Sequence, residues 1–168
     1  VADNLSTNNS STKTEGPAPK IDRTDRAILA ALAEDGRLSV AEVARRANVS
    51  RANAYMRIER LTSAGVITGY GARIDSRRLG LDVSAFVFLR VDQVEWRRLR
   101  EKLLEVEEVE MVGLTSGDFD FVVLVRASST VMLRDVVLAR FLAMEGVRGT
   151  QTLLLFDDVV RRPCVPAI

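Results

Sequence analysis

The stretch SVAEVARRANVSRANAYMRIERL, residues 39–61, decides how the first half of the chain is read. Ser39 stands three residues before Glu42, the spacing of a capping box that opens a helix, with Val40 and Val43 as its apolar positions. Asn48 tolerates the left-handed backbone of a tight turn. Ser50 is placed to cap a further helix that runs through Ala64 and stops at Gly65. On that helix Ala54, Ile58 and Leu61 recur at i, i+4 and i+7, which makes one inner face. Upstream, Ile21, Ile28, Leu29 and Leu32 also follow helical spacing, with Asp22 or Thr24 as N-cap and Gly36 as the end. Three short helices, the last two joined by a tight turn and the last one basic, describe a helix-turn-helix. An ordinary three-helix domain with a solvated basic face is the alternative.

The totals narrow the function classes. The chain has 168 residues, is 47% hydrophobic and 28% charged, and holds no histidine and one cysteine, Cys164. The missing histidine removes the commonest general base and the commonest metal ligand. One cysteine excludes an intrachain disulfide and a cysteine metal cluster. No enzyme activity, metal or cofactor is therefore expected. No apolar run approaches the ~18–20 residues of a membrane helix, and no secretory signal is visible, so a cytoplasmic location without membrane contact is expected. Residues 21–80 carry 11 Arg and 7 Asp/Glu, net +4, while residues 81–168 carry 11 Arg/Lys and 14 Asp/Glu, net −3. The first half is suited to a polyanion and the second is not.

The flanks differ in kind. Residues 1–20 are Ser/Thr/Asn/Pro-rich and almost without apolar side chains, so they read as a disordered tail. Residues 21–66 form the helix-turn-helix domain and residues 67–81 a linker strand and hinge, with VITGYGARID as the strand and Ser76 to Gly80 as the hinge. Residues 82–160 alternate strand and helix signals, and residues 161–168 form a C-terminal tail. Val83 to Val91 alternates as a strand; Trp96, Leu99 and Leu103 share a helix face between Glu95 and Glu105. Met111 to Ser116 and Phe119 to Arg126 are two more strands. Ser129 opens a helix with Leu133, Val137 and Phe141 on one stripe and Met132 and Val136 beside it, ended by Gly146; Thr150 to Phe156 is the last strand. The order β-α-β-β-α-β is the split βαβ, or ferredoxin-like, pattern. The fold class is thus α+β. A four-stranded antiparallel sheet with two helices on one face leaves the other face to be covered, and a second subunit is the simplest cover.

Three segments together carry a family resemblance: IDRTDRAILAALAEDGRLSVAEVARRANVS, then RIERLTSAGVITGYGARID, then GLTSGDFDF between two strands. In order and spacing the chain resembles the Lrp/AsnC (leucine-responsive regulator/asparagine regulator, feast/famine) family of transcription factors over roughly residues 21–160. The resemblance implies a winged helix-turn-helix domain, a linker strand and a regulatory RAM domain of the ferredoxin-like kind. It also implies homodimers made through the RAM sheets, often assembled as a tetramer of dimers. Amino acids or related small molecules would bind at contacts between dimers and shift assembly or DNA affinity. The chain departs from the family at the start of the recognition helix, where many members carry proline and this one carries Arg51 and Asn53.

On the DNA side, Ser50, Arg51, Ala52, Asn53 and Arg57 are expected to face the groove, since arginine pairs with guanine and asparagine with adenine. Arg45, Arg46 and Arg60 are expected on phosphates of double-stranded DNA, which position without specifying. Tyr55 is ambiguous between core and phosphate contact. On the ligand side, GLTSGDFDF reads first as a turn between strands. Glycines also allow close approach to the backbone, exposed N–H groups hold carboxylates, and aspartate pairs with ammonium. The family's effector loop maps onto Gly113, Leu114, Thr115, Ser116, Gly117, Asp118 and Asp120, with Thr150, Gln151 and Thr152 offered by a facing strand. Asp120 or Asp118 would take the ammonium. Two rivals remain: a sirohaem decarboxylase, which resembles the family but is expected to use pocket histidines, and an architectural DNA-binding protein that needs no effector.

Overall fold

Helix boundaries follow the capping residues closely. The computed structural model describes residues 19–92, 96–159 and Val165. The tails expected over 1–20 and 161–168 therefore lie outside the described residues except for 19, 20 and Val165. The chain divides into two units, residues 1–72 with 160–168, and residues 73–159.

The first unit holds α1 (Arg23–Glu34), α2 (Val40–Ala47) and α3 (Arg51–Ser63). Asp22 is the N-cap of α1 and forms a reciprocal box with Asp25: each side chain accepts the other's backbone N–H, at 2.8 and 3.0 Å. Ser39 Oγ accepts the Glu42 N–H at 3.2 Å. That is half of the expected box, because the Glu42 carboxylate is drawn instead to Arg45 and Arg46. Asn48 ends α2 at φ 54°, ψ 50°, the left-handed turn the sequence requires. Ile28, Val43 and Leu61, all fully buried, join the three helices in one core.

In the single chain the expected linker strand carries no ladder. After Ile67 the backbone to Asp75 has no ladder partner among the described residues. Two glycines, Gly69 and Gly71, deprive it of side chains to pack, and a strand needs a partner to satisfy its backbone groups. The hinge at Arg77–Leu79 is a single 3-10 turn closed by Gly80 at φ 79°.

The second unit runs β1 (Val83–Val91), α4 (Trp96–Leu104), β2 (Val109–Leu114), β3 (Phe121–Ala127), α5 (Thr130–Asp135) and β4 (Val147–Leu155). The sheet order is β2-β3-β1-β4 with every pair antiparallel, the ferredoxin-like arrangement. Period-two alternation sends Ala85, Val87 and Leu89 of β1, and Phe121, Val123 and Val125 of β3, into a core with Leu99, Leu103, Leu133 and Phe141. The last helix is not uniform: α5 passes into a π-helical segment, Val136–Phe141. Leu133, Val137 and Phe141 are spaced by four, which drifts one way around an α-helix and the other way around the wider π turn. The switch keeps all three buried.

On the face away from the helices, Phe86 lies opposite Leu124 and Leu153, and Phe88 opposite Val122 and Gln151. Met111 and Gly113 extend this face across β2. Leu153 is 48% and Met111 41% exposed, so the side that needed cover is an apolar, uncovered sheet surface in the single chain.

Candidate nucleic-acid interface and ligand loop

Helix α3 turns Ala54 and Leu61 inward, fully buried. At 100° per residue the opposite side is the line Ala52, Met56, Glu59 and Ser63. Met56 is 71% exposed and Tyr55 56%, which settles Tyr55 as a surface residue. Met56 was not singled out by sequence reasoning, although its place four residues after Ala52 and opposite the core was a usable signal. A thioether there suits a thymine methyl.

Among the groove residues expected from sequence, Ser50 Oγ accepts the Asn53 N–H at 3.2 Å as the helix cap. Arg51, Ala52 and Asn53 are exposed at the helix start. Arg51 makes no ion pair among the described residues, so its guanidinium is available. Arg57 is differently placed. Its Nε donates to Asn53 Oδ1 at 2.7 Å, and its Nη1 donates to Asp22 at 2.7 Å and Asp25 at 2.8 Å. Arg60 Nη2 donates to Asp25 at 2.6 Å. Arg57 stands toward the core flank of α3, whereas Arg60 is exposed and lies about 40° around the helix from Met56; both bind α3 to the start of α1.

Asp25 is the centre of this arrangement and has no exposed surface. Burial pushes its carboxyl up, but hydrogen bonds from Arg60, the Asp22 N–H and Arg57 outweigh that and hold it at about 2. Sequence reasoning missed Asp25; the Asp22-x-x-Asp25 spacing was its only trace. Arg45 grips Glu42 through two bonds of 2.8 and 2.6 Å, and Arg46 bridges Glu42 and Glu34. In the free chain all three expected phosphate ligands, Arg45, Arg46 and Arg60, are thus tied to carboxylates, and DNA would have to exchange with these pairs.

In the second unit, Gly113 to Asp120 leads from β2 to β3. Gly113 lies across from Val122, and a Cβ on it would come within 3.0 Å of Val122 Cγ1, so strand packing alone accounts for this glycine. Gly117 has φ +136° and open space around its Cα, a conformation and an approach that favour glycine. The loop is pinned at both ends. Thr115 N–H donates to Asp120 O at 2.9 Å, Thr115 Oγ1 donates to Phe119 O, and Asp120 N–H donates to Leu89 O at 2.9 Å. Asp120 Oδ2 accepts the Val91 N–H at 2.8 Å. Arg90 Nε donates to Asp118 O at 2.9 Å and lies over the Phe119 ring, which packs on Phe88 with centroids 5.4 Å apart.

The two aspartates therefore differ. Asp120 satisfies the end of β1, whereas the Asp118 carboxylate is exposed and has no partner among the described residues. The N–H groups of Ser116, Gly117, Asp118 and Phe119 likewise meet no acceptor among the described residues. Thr150 and Thr152 are in register with Leu89 and Val87 on the helix side of the sheet, and Gln151 with Phe88 on the other. They belong to β4, on the far side of β1 from β3, so one chain does not bring them against the loop.

Comparison with known proteins bears on both units. Residues 21–68 match the family described as winged helix-turn-helix DNA-binding, and residues 84–165 the Lrp/AsnC ligand binding domain. The chain is 36% identical over 147 residues to the HTH-type transcriptional regulator LrpA of Mycobacterium tuberculosis, covering 87% of this chain and 97% of the relative. It is 32% identical to the proline dehydrogenase transcriptional activator of Rhizobium radiobacter, covering 83% of this chain and 91% of the relative. The solved structure of Escherichia coli AsnC superposes with a TM-score of 0.79 at 28% identity, covering 88% of this chain and all of that one. With a winged helix-turn-helix followed by that ligand-binding domain, in that order and over most of its length, the chain belongs to the Lrp/AsnC family of transcriptional regulators.

Proposed function

We propose that this regulator binds its operator specifically as a homodimer or a tetramer of dimers, and that an amino acid or related small molecule at the Gly113–Asp120 loop modulates its assembly or DNA affinity. The observation that carries the ligand reading is the loop itself. It presents N–H groups from Ser116 to Phe119 that meet no acceptor among the described residues, suited to a carboxylate, beside the Asp118 carboxylate, which has no partner among them and is suited to an ammonium. A free amino acid has both groups. A second subunit completes the pocket and brings Thr150, Gln151 and Thr152 to it from another chain. A relative named for activating proline dehydrogenase is consistent with control of genes for amino-acid enzymes. Arg51, Ala52, Asn53 and Met56 read the groove; Arg45 and Arg46 meet phosphates; Arg57 and Arg60 hold α3 in place beside them. The protein works in the cytoplasm.

The structure changes which variant tests the ligand. Asp120→Ala would also release the Val91 N–H, so Asp118→Asn is the cleaner substitution. Calorimetry against the common amino acids should show one or more binding to the wild type and at least about tenfold weaker binding to Asp118→Asn, the loss of one charge-assisted bond. No binding by any of them sinks the ligand reading and leaves the DNA reading standing. For DNA, affinity for the gene's own upstream region against random DNA should differ by about a thousandfold or more. A ratio near one would favour an architectural role without an effector.

A further inference from the structure

We propose that the helix-turn-helix unit carries a docking groove for the chain's own C-terminal segment, with Val165 as its anchor. The groove, ≈ 450 Å³, runs between α1 and the stretch that follows α3. Ile21, Leu29 and Leu32 form one wall and Val66, Ile67 and Tyr70 the other. All but Tyr70 are outer apolar positions of the three-helix core, partly buried by it. Tyr70 is 57% exposed, yet its ring is held against the end of α1, where a Cβ on Gly36 would come within 3.3 Å of Cδ1. Tyr70 is thus one wall of an open apolar groove, a surface suited to an apolar partner.

Val165 is that partner. It lines the groove, is half-buried there, and belongs with the helix-turn-helix unit although the sheet unit ends only at Val159. The chain thus visits the first unit twice, once from its N-terminal side and once near its end. Pro166 follows Val165 and biases it to the extended backbone that a groove ligand needs. No residue of α3 lines the groove, so docking leaves Arg51, Asn53 and Met56 uncovered.

The test uses the full chain and its sole cysteine, Cys164, next to Val165. Thr68 lines the groove and is exposed, so Thr68→Cys leaves the core intact. In the Thr68→Cys variant a short bis-maleimide should link the introduced thiol to Cys164 within one chain, read as a monomer band joined at those two positions by peptide mass mapping. Adding Val165→Asp should lower the linked fraction about tenfold, the factor that burying one valine contributes. Tyr70→Asp, which alters the wall and not the tail, should lower it similarly. Absence of the link, or a linked fraction unmoved by Val165→Asp and Tyr70→Asp, overturns the proposal. A dimer band overturns it too, since the segment would then dock on a second copy.

Discussion

Removing the arginines around Asp25 should destabilise the helix-turn-helix unit and reverse its response to acid. Asp25 has no exposed surface, so water cannot replace a lost partner. Arg57 and Arg60 each give it one charge-assisted bond, at 2.8 and 2.6 Å. Bonds to charged groups contribute about 1.5–3 kcal/mol each, and that is the expected loss for Arg57→Ala or Arg60→Ala. The double variant leaves a desolvated carboxylate held by one backbone N–H, and the loss should reach about 3–5 kcal/mol. Asp25→Ala should be milder, because the side chains of Arg57 and Arg60 are 25% and 45% exposed and keep contact with water.

The pH dependence follows from the same geometry. In the wild type the carboxyl is held at about 2 against an ordinary 3.8. Its contribution, about 2 kcal/mol, is fully present above pH ~4 and is lost as pH falls through ~2. Without both arginines, burial dominates and the carboxyl rises above its ordinary value. The double variant should then gain stability as pH is lowered from neutrality toward that value. Urea unfolding by far-ultraviolet circular dichroism follows the helices of both units, and emission from Trp96 in α4 follows the sheet unit alone, so a circular-dichroism transition without a Trp96 counterpart belongs to the helix-turn-helix unit. Stability of Arg60→Ala within about 0.5 kcal/mol of wild type, or an unchanged pH slope in the double variant, would refute the reasoning. Unfolding measured beside DNA binding in Arg57→Ala therefore separates a displaced α3 from a lost base contact.

Arg51→Ala should weaken operator binding by about 1–3 kcal/mol and relax the base preference at one position, with unfolding unchanged, since Arg51 has no intramolecular ion pair among the described residues; fluorescence anisotropy with the operator and its base-substituted versions measures both. Asn48→Ala should cost about 1–2 kcal/mol because alanine must enter the left-handed region at φ 54°; urea unfolding checks it. Leu153→Glu should lower the association state without unfolding the sheet unit, since Leu153 is already 48% exposed in the single chain; analytical ultracentrifugation decides, and an unchanged mass would rule out the open sheet face as the subunit contact.

The sequence by itself determined the local elements. Ser39, Asn48, Ser50 and Gly65 punctuate α2 and α3 because capping and left-handed turns depend on one or two side chains and the adjacent backbone. The alternation in β1 and the stripe through Leu133, Val137 and Phe141 determined which faces are buried, and hence the βαββαβ order. GLTSGDFDF announced a loop. Tertiary structure decided which charges are available. Arg57 and Arg51 look alike on a helical wheel of basic residues, but Asp25, 32 residues before Arg57, captures Arg57 and leaves Arg51 open. Asp118 and Asp120 look alike in one motif, but only Asp120 reaches the Val91 N–H, 29 residues away. The linker stretch likewise has no ladder in the single chain, since a strand exists only with a partner and no described segment supplies one. Propensity and capping act within a few residues, whereas ion pairing and strand pairing depend on which distant groups the fold brings within about 3 Å.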